Sequence, residues 1–86
     1  MPVVTFDPVK DHKNKAKHRI SLDRAKDIDI YQQMPDPDYA DRWRAIGTID
    51  GNFYLLVYAD IKTMSGIHAI SLRALRRKEL RRFFRQ

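Results

Sequence analysis

The stretch that decides the fold is residues 42–59, RWRAIGTIDGNFYLLVYA, in which two runs rich in β-branched and aromatic residues flank Asp50-Gly51. Asp-Gly between two such runs is typical of a two-residue hairpin, because a type I′ turn needs two residues that tolerate positive φ. Pairing about this turn sets Trp43 opposite Tyr58 on one face of the hairpin, which is aromatic. It sets Ile46 opposite Leu55 on the other face, which is mostly aliphatic. The pattern predicts a central hairpin covered on one side by helices.

Further elements are predicted on both sides of this hairpin. Asp7 and Pro8 mark a helix start, because an aspartate caps free N–H groups and a proline at the first helical position gives up no hydrogen bond. The predicted elements are a strand over Val3–Phe6, a helix from Pro8 to about His18, a helix of about ten residues after Ser21, a loop over Met34–Asp38, a strand over Ile67–Leu72 and a basic helix from Arg73 to about Arg85. The first of these helices has a thin apolar face of Val9, Ala16 and part of His12. A chain of 86 residues is expected to form one small domain, which would span residues 1–86.

Composition limits the classes of protein to consider. The chain has 86 residues and no cysteine, which excludes disulfide frameworks, thiolate metal sites and cysteine nucleophiles. No apolar run approaches the roughly 20 residues that cross a bilayer, and the N-terminal stretch lacks the apolar core of a signal peptide. A cytoplasmic protein with no membrane partner is therefore expected.

The net charge of +6 is unevenly distributed along the chain. Bases dominate residues 10–26 and 42–86, whereas residues 27–41 contain five aspartates and no base. Two basic blocks that converge in the fold would form the electrostatic footprint of nucleic-acid binding, although each block is also consistent with a solvated helix face. The charge therefore favours a polyanionic partner.

With these elements in order, the sequence resembles the BrnT family of bacterial type II toxin–antitoxin ribonucleases over nearly its whole length. Each matching segment is weak alone, but their joint order and spacing are specific. The segments are Phe6-Asp7-Pro8 with Lys10, Asn14, Lys17-His18, Ile20-Ser21-Leu22 with Ala25, Asp41-Arg42, Ile46-Gly47, Val57-Tyr58, Ile70-Ser71-Leu72-Arg73, Arg77 and Glu79.

The resemblance implies a RelE-like α+β fold, with a small, twisted, mainly antiparallel sheet, two N-terminal helices and a basic C-terminal helix. It also implies an endoribonuclease without a cofactor that cleaves mRNA, free or on the ribosome, and arrests growth. Its partner would be a ribbon–helix–helix antitoxin, bound in a toxin–antitoxin hetero-oligomer. The chain departs from the family pattern where Arg19 replaces a Gly, His68 an Arg, Ala74 a base, and Phe83 or Phe84 a Tyr.

Metal-free RNA cleavage needs a base for the 2′-hydroxyl, an acid for the leaving 5′-oxygen and cations for the pentavalent phosphate. Histidine suits proton transfer because its ordinary pKa of about 6.5 lies near working pH, and arginine supplies a bidentate phosphate clamp. The candidate catalytic residues are Arg42, Arg73, His68, His18 and Glu79, and the candidate RNA-binding residues are Lys10, Lys17, Arg44, Tyr58, Arg77 and Arg81. No metal site is predicted, because Asp11 and His12 cannot converge on one ion from adjacent helix positions.

Several of these assignments have an alternative. His18 lies at a predicted helix end, where a protonated ring would also cap the helix. The hairpin register points Arg42 and Arg44 to the aliphatic face, so Arg42 would act only at the mouth of the strand or through a bulge. Glu79 lies in the apolar stripe of the last helix, where it either pairs with an arginine or has a raised pKa and acts as a base; we favour the pairing.

Three functions from different classes are consistent with the sequence. The first is a ribonuclease toxin, the second a non-catalytic nucleic-acid-binding module, and the third a protein-interaction subunit whose basic helix docks an acidic partner. Growth arrest on expression, relieved by the product of an adjacent reading frame, would distinguish the first from the other two.

Overall fold

A five-stranded sheet forms the centre of the computed structural model, which describes residues 3–61 and 65–85. The elements are β1 (Val3–Thr5), α1 (Pro8–His18), a 3₁₀ helix (Leu22–Asp27), β2 (Asp29–Pro35), β3 (Trp43–Ile49), β4 (Asn52–Asp60), β5 (Gly66–Ala74) and α2 (Arg77–Phe84). The strand order is β1-β5-β4-β3-β2, and each neighbouring pair is antiparallel except β1 with β5. The predicted α+β class with a mainly antiparallel sheet is confirmed.

The central hairpin has the predicted register. Trp43 pairs with Tyr58, and the chain turns at Asp50 and Gly51, whose φ angles are 51° and 83°. Both turn residues therefore have the positive φ that a type I′ turn requires. The predicted start of α1 is also confirmed, since the carboxylate of Asp7 accepts the backbone N–H of Val9 at 2.9 Å.

The predicted second N-terminal helix is wrong in type and length. Ser21 caps it as expected, since its hydroxyl accepts the N–H of Asp23 at 3.2 Å, but residues 22–27 form only a 3₁₀ helix. The chain then continues as β2, which the sequence pattern missed. β2 is an edge strand with mostly exposed side chains, so it lacks the apolar alternation that marks a half-buried strand.

The last helix begins four residues later than predicted, at Arg77 rather than Arg73. β5 extends to Ala74 because pairing with β4 continues, with Arg73 opposite Leu55 and Ala74 opposite Tyr54. Arg73 therefore projects from a strand, and the α-helix starts only after the chain has turned back over the sheet.

Helices cover both faces of the sheet, although the sequence predicted cover on one. Leu22 and Ala25 of the 3₁₀ helix pack on the aromatic face, in a core with Leu56, Leu72 and Tyr58. α2 lies over the aliphatic face, where the Phe83 ring contacts the Phe53 ring at 5.6 Å. Within the described residues, neither α-helix is long and apolar enough to span a membrane.

α1 packs through polar side chains, so the predicted apolar face of Val9, Ala16 and part of His12 is wrong. Val9 is 63% exposed, and Ala16 and His12 are exposed, whereas Asp11 and Asn14 are buried. The Asp11 carboxylate accepts the N–H of Leu22 at 2.7 Å, which anchors the start of the 3₁₀ helix. Asp11 and Asn14 can be buried because hydrogen bonds to the backbone satisfy their side chains.

Arg19 ends α1 in the left-handed conformation, with φ at 60°. Its N–H donates to the carbonyl of Lys15 at 2.9 Å, which closes the last helical turn. This conformation is the one that favours glycine after a helix. The departure from the family pattern at Arg19 therefore leaves the chain reversal after His18 intact.

Candidate functional site

An arginine–glutamate pair joins the end of β5 to the first turn of α2. Arg73 donates from Nη1 to Glu79 Oε1 at 2.7 Å and from Nη2 to Oε2 at 2.8 Å, while the N–H of Arg76 donates to Oε1 at 2.8 Å. The hydrogen bonds from Arg73 lower the pKa of Glu79 to about 2. Burial acts in the opposite direction, and the hydrogen bond from the Arg76 N–H lowers the pKa further. Glu79 is therefore ionised at neutral pH, which supports the pairing role over that of a base.

Arg73 keeps donors available after this pairing. Of the five N–H groups of a guanidinium, two donate to Glu79 and one, from Nη1, donates to the carbonyl of Ala74 at 3.3 Å. Within the described residues, the Nε–H and one Nη2–H have no protein acceptor. These two groups lie in the guanidinium plane along one edge, an arrangement that suits two-point binding of an anion such as a phosphate. Glu79 thus fixes Arg73 and leaves it able to hold an anion.

His18 lies at the C-terminal end of α1 and is half-buried. Burial lowers the pKa of His18 below its ordinary value of 6.5, and the positive charges of Lys17, Arg73 and Arg76 lower it further. A histidine that capped the helix as a cation would have a raised pKa instead. The ring is therefore neutral at pH 7 and able to accept a proton.

A shallow cleft of about 260 Å³ lies between α1 and β5 beside this group. Its lining consists of Lys10, Lys13, Asn14, Lys17, His18, Ile70 and Ser71. Ser71 belongs to the same strand as Arg73, so the cleft and the arginine share one edge of the sheet. A neutral histidine and three lysines line this cleft, and Arg73 follows Ser71 by two residues along β5. This set of groups suits the binding and deprotonation of a phosphodiester substrate.

The other candidate catalytic residues lie apart from this cleft. The Nδ1 atom of His68 lies 2.8 Å from the hydroxyl of Thr5, near the opposite end of β5. Arg42 precedes β3, and its guanidinium stacks over the Tyr39 ring at 4.0 Å from the centroid. Neither side chain contacts Arg73, so the structure does not bring the five candidates together.

The candidate RNA-binding residues are likewise divided. Lys10 and Lys17 line the cleft, and Arg77 and Arg81 are exposed on α2. Arg44 donates to the buried carboxylate of Asp36 at 3.2 Å. The ring of Tyr58 is only 5% exposed within the core, and this burial leaves no free ring face on which a base could stack. Tyr58 is therefore better described as a core residue.

Two further residues contribute to the site and were not among its predicted candidates. Arg76 helps to hold Glu79 through its backbone and adds to the positive charge around His18. Asn14 donates to the carbonyl of Leu72 at 2.8 Å, which fixes α1 against β5 and places His18 beside the strand. The i,i+4 spacing of Asn14 and His18 was the available signal, because it sets both on one helix face. No group of three acidic or histidine side chains suited to a metal ion occurs in residues 3–61 and 65–85.

Comparisons with known proteins identify a similar fold and a matching family model. A comparison with the curated proteins found no significant match. Among solved structures, the chain is similar to the crystal structure of the Brucella abortus ribonuclease toxin BrnT, with a TM-score of 0.65 and 20% identity over 90% of this chain and 100% of that one. Residues 6–79 match the family model described as the ribonuclease toxin, BrnT, of type II toxin–antitoxin systems. The chain therefore belongs to the BrnT family of ribonuclease toxins.

Proposed function

We propose that this chain is a metal-independent endoribonuclease that cleaves mRNA to arrest growth, with His18, Arg73 and Glu79 at its active site. The observation that carries the proposal is a histidine held neutral near an arginine that a glutamate positions, beside a cleft lined by lysines. Family membership supports the reaction class. The non-catalytic binding module is the weaker alternative, because simple phosphate binding needs no neutral histidine.

The proposed reaction is an internal transesterification of RNA. His18 takes the proton of the 2′-hydroxyl, the 2′-oxygen bonds to phosphorus, and the bond to the 5′-oxygen breaks. Arg73 neutralises the charge that develops on the phosphate oxygens, and Lys10 and Lys17 hold the neighbouring phosphates. The leaving 5′-oxygen takes a proton from water, which has access to the open cleft. The products are a 2′,3′-cyclic phosphate and a 5′-hydroxyl end.

A chelator experiment tests the reaction class. Purified protein should cleave single-stranded RNA, or mRNA on ribosomes, at the same rate with and without excess EDTA. Mass spectrometry of the products should show 2′,3′-cyclic phosphate ends. The Arg73→Ala variant, purified in parallel, controls for contaminating nucleases. Activity that EDTA abolishes and a divalent ion restores would contradict the metal-free mechanism.

The proposal includes an antitoxin of the ribbon–helix–helix type that binds α2. The exposed arginines of α2, Arg77 and Arg81 among them, suit an acidic segment of the antitoxin. An antitoxin bound over α2 would block the approach of RNA to Arg73. Co-expression with the product of an adjacent reading frame should relieve growth arrest, and amide hydrogens of α2 should gain protection in the complex. Protection that spares residues 73–85 would contradict this part of the proposal.

A further inference from the structure

Four aromatic rings form a cluster where α2 crosses the aliphatic face. Phe53 of β4 is at its centre, and its ring centroid lies 5.6 Å from Tyr31, 5.6 Å from Phe83 and 5.3 Å from Phe84. The contacts with Tyr31 and Phe84 are edge-to-face, at interplanar angles of 72° and 87°. Such contacts are favourable, so they hold the rings in fixed orientations.

Two of these rings are largely exposed. Phe84 is 65% exposed and Tyr31 is 60% exposed, whereas Phe53 and Phe83 are half-buried and attach α2 to the sheet. One exposed apolar residue needs no explanation, but two fixed rings in one cluster form a contiguous apolar surface. Both Phe83 and Phe84 contact Phe53, but packing of α2 leaves most of the Phe84 side chain exposed.

The charge around the cluster selects the kind of ligand. The exposed bases of α2 and its C-cap are Arg77, Lys78, Arg81, Arg82 and Arg85. The one acid of this segment, Glu79, is held by Arg73. Tyr31 lies in the acidic stretch of the chain, so the positive charge beside the cluster comes from α2 alone. Aromatic rings beside the arginines of a helix suit a ligand that has both flat unsaturated rings and negative charge, which describes single-stranded nucleic acid.

The cluster adjoins the proposed active site. Phe53 is two residues from Leu55 on β4, and Leu55 pairs directly with Arg73. Phe83 and Glu79 line one cavity of about 200 Å³ between α2 and the sheet. An RNA strand with a phosphate on Arg73 therefore has flanking nucleotides within reach of the exposed rings.

We infer that the exposed faces of Tyr31 and Phe84 form a subsite that stacks unpaired nucleobases flanking the cleaved phosphate. This inference rests on the proposed ribonuclease function. It assigns a binding site to the bases of the substrate, whereas the proposed active site contacts the phosphates and the 2′-hydroxyl. Stacking tolerates any base, so the subsite selects single-stranded over paired RNA rather than a sequence.

The test measures binding of a short, single-stranded 2′-O-methyl oligoribonucleotide, which cannot be cleaved because its 2′-oxygens are blocked. A second probe of equal length with abasic residues keeps the phosphates and lacks the bases. Phe84→Ala and Tyr31→Ala should each bind the first probe about tenfold more weakly and the abasic probe unchanged, because stacking contributes roughly 1–3 kcal/mol per base. Val9→Ala, which alters a similarly exposed residue on α1, is the matched control and should bind like the wild type.

Replacement of Phe84 by other side chains separates base stacking from an apolar dock for a protein. Phe84→Trp should keep the affinity for RNA and Phe84→Leu should lose it, because only the former offers a π-face. This inference alone would be overturned if the wild type cleaves RNA and binds it no more tightly than Phe84→Leu and the Tyr31/Phe84 double alanine variant do. A wild type that neither binds nor cleaves RNA would overturn the proposed function with it. Loss of antitoxin binding in these variants without loss of RNA binding would assign the cluster to the protein partner, against the inference.

Discussion

Arg73→Ala should lower the rate of RNA cleavage by roughly 10²–10³ and leave the fold intact, because it removes a charge-assisted contact to the phosphate in the transition state. Arg73 is on a strand whose backbone pairing does not depend on its side chain. Circular dichroism should therefore show native structure in the variant. Arg73→Lys should recover only part of the rate, because an ammonium cannot bind Glu79 and a phosphate through two-point contacts at once.

The pH dependence of the same variant gives a second readout. Burial, followed by the charges of Lys17, Arg73 and Arg76, lowers the pKa of His18 below 6.5. If neutral His18 is the base, the acid limb of the pH profile of kcat/KM lies below pH 6.5 in the wild type. Removal of the Arg73 charge raises the pKa of His18, so the acid limb should move to higher pH in Arg73→Ala. An unmoved limb, or a variant that unfolds, would contradict the assignment.

Variants of Glu79 test the positioning role against the alternative of a general base. Glu79→Gln keeps one oxygen that accepts from Arg73 and from the Arg76 N–H, so it should retain substantial cleavage. Glu79→Ala removes both acceptors from the Arg73 guanidinium, so this variant should lose far more of the cleavage rate. Equal and complete loss in both variants, with the fold intact, would make Glu79 the base despite a pKa of about 2.

Short sequence motifs were sufficient to predict the central hairpin and the start of α1. Asp50-Gly51 specifies both the turn and the register of the hairpin, and Asp7 with Pro8 specifies where α1 begins. β2 could not be predicted in this way, because an edge strand has only one strand neighbour and few buried side chains. Its place depends on β3, which lies beyond the proline loop.

The candidate site was predictable in its residue types and not in its assembly. Arg73, Glu79 and His18 were each identifiable from chemistry and family resemblance. Their proximity depends on the extension of β5 to Ala74 and on the polar packing of α1, and neither leaves a periodic signal. The sequence analysis placed Arg73 in the last helix, so it did not predict that Arg73 pairs with Glu79 from a strand, across a turn of the chain.

Asn14→Leu should lower the free energy of unfolding by about 2–4 kcal/mol, because each buried polar group left without a partner costs roughly 1–3 kcal/mol. The Asn14 amide donates to the carbonyls of Leu72 at 2.8 Å and Ile20 at 2.9 Å, and its oxygen accepts the N–H of Leu72 at 3.2 Å. β1 ends beside His68, so the part of β5 that follows has no strand on that side. Asn14 supplies the donor and the acceptor that a neighbouring strand would supply to Leu72.

Urea denaturation at pH 7 measures this effect, with Lys13→Ala as the control on the same helix. Lys13 is exposed, so its removal should change stability by no more than about 0.5 kcal/mol. Asn14→Asp separates the two halves of the interaction, because a carboxylate still accepts the Leu72 N–H but places negative charge against two carbonyl oxygens. Asn14→Asp should therefore be at least as unstable as Asn14→Leu at pH 7, and it should recover partly in acid as the carboxyl gains a proton that it can donate. If Asn14→Leu is as stable as Lys13→Ala, water satisfies Leu72 equally well, and α1 is held to the sheet by Asp11 and the 3₁₀ helix instead.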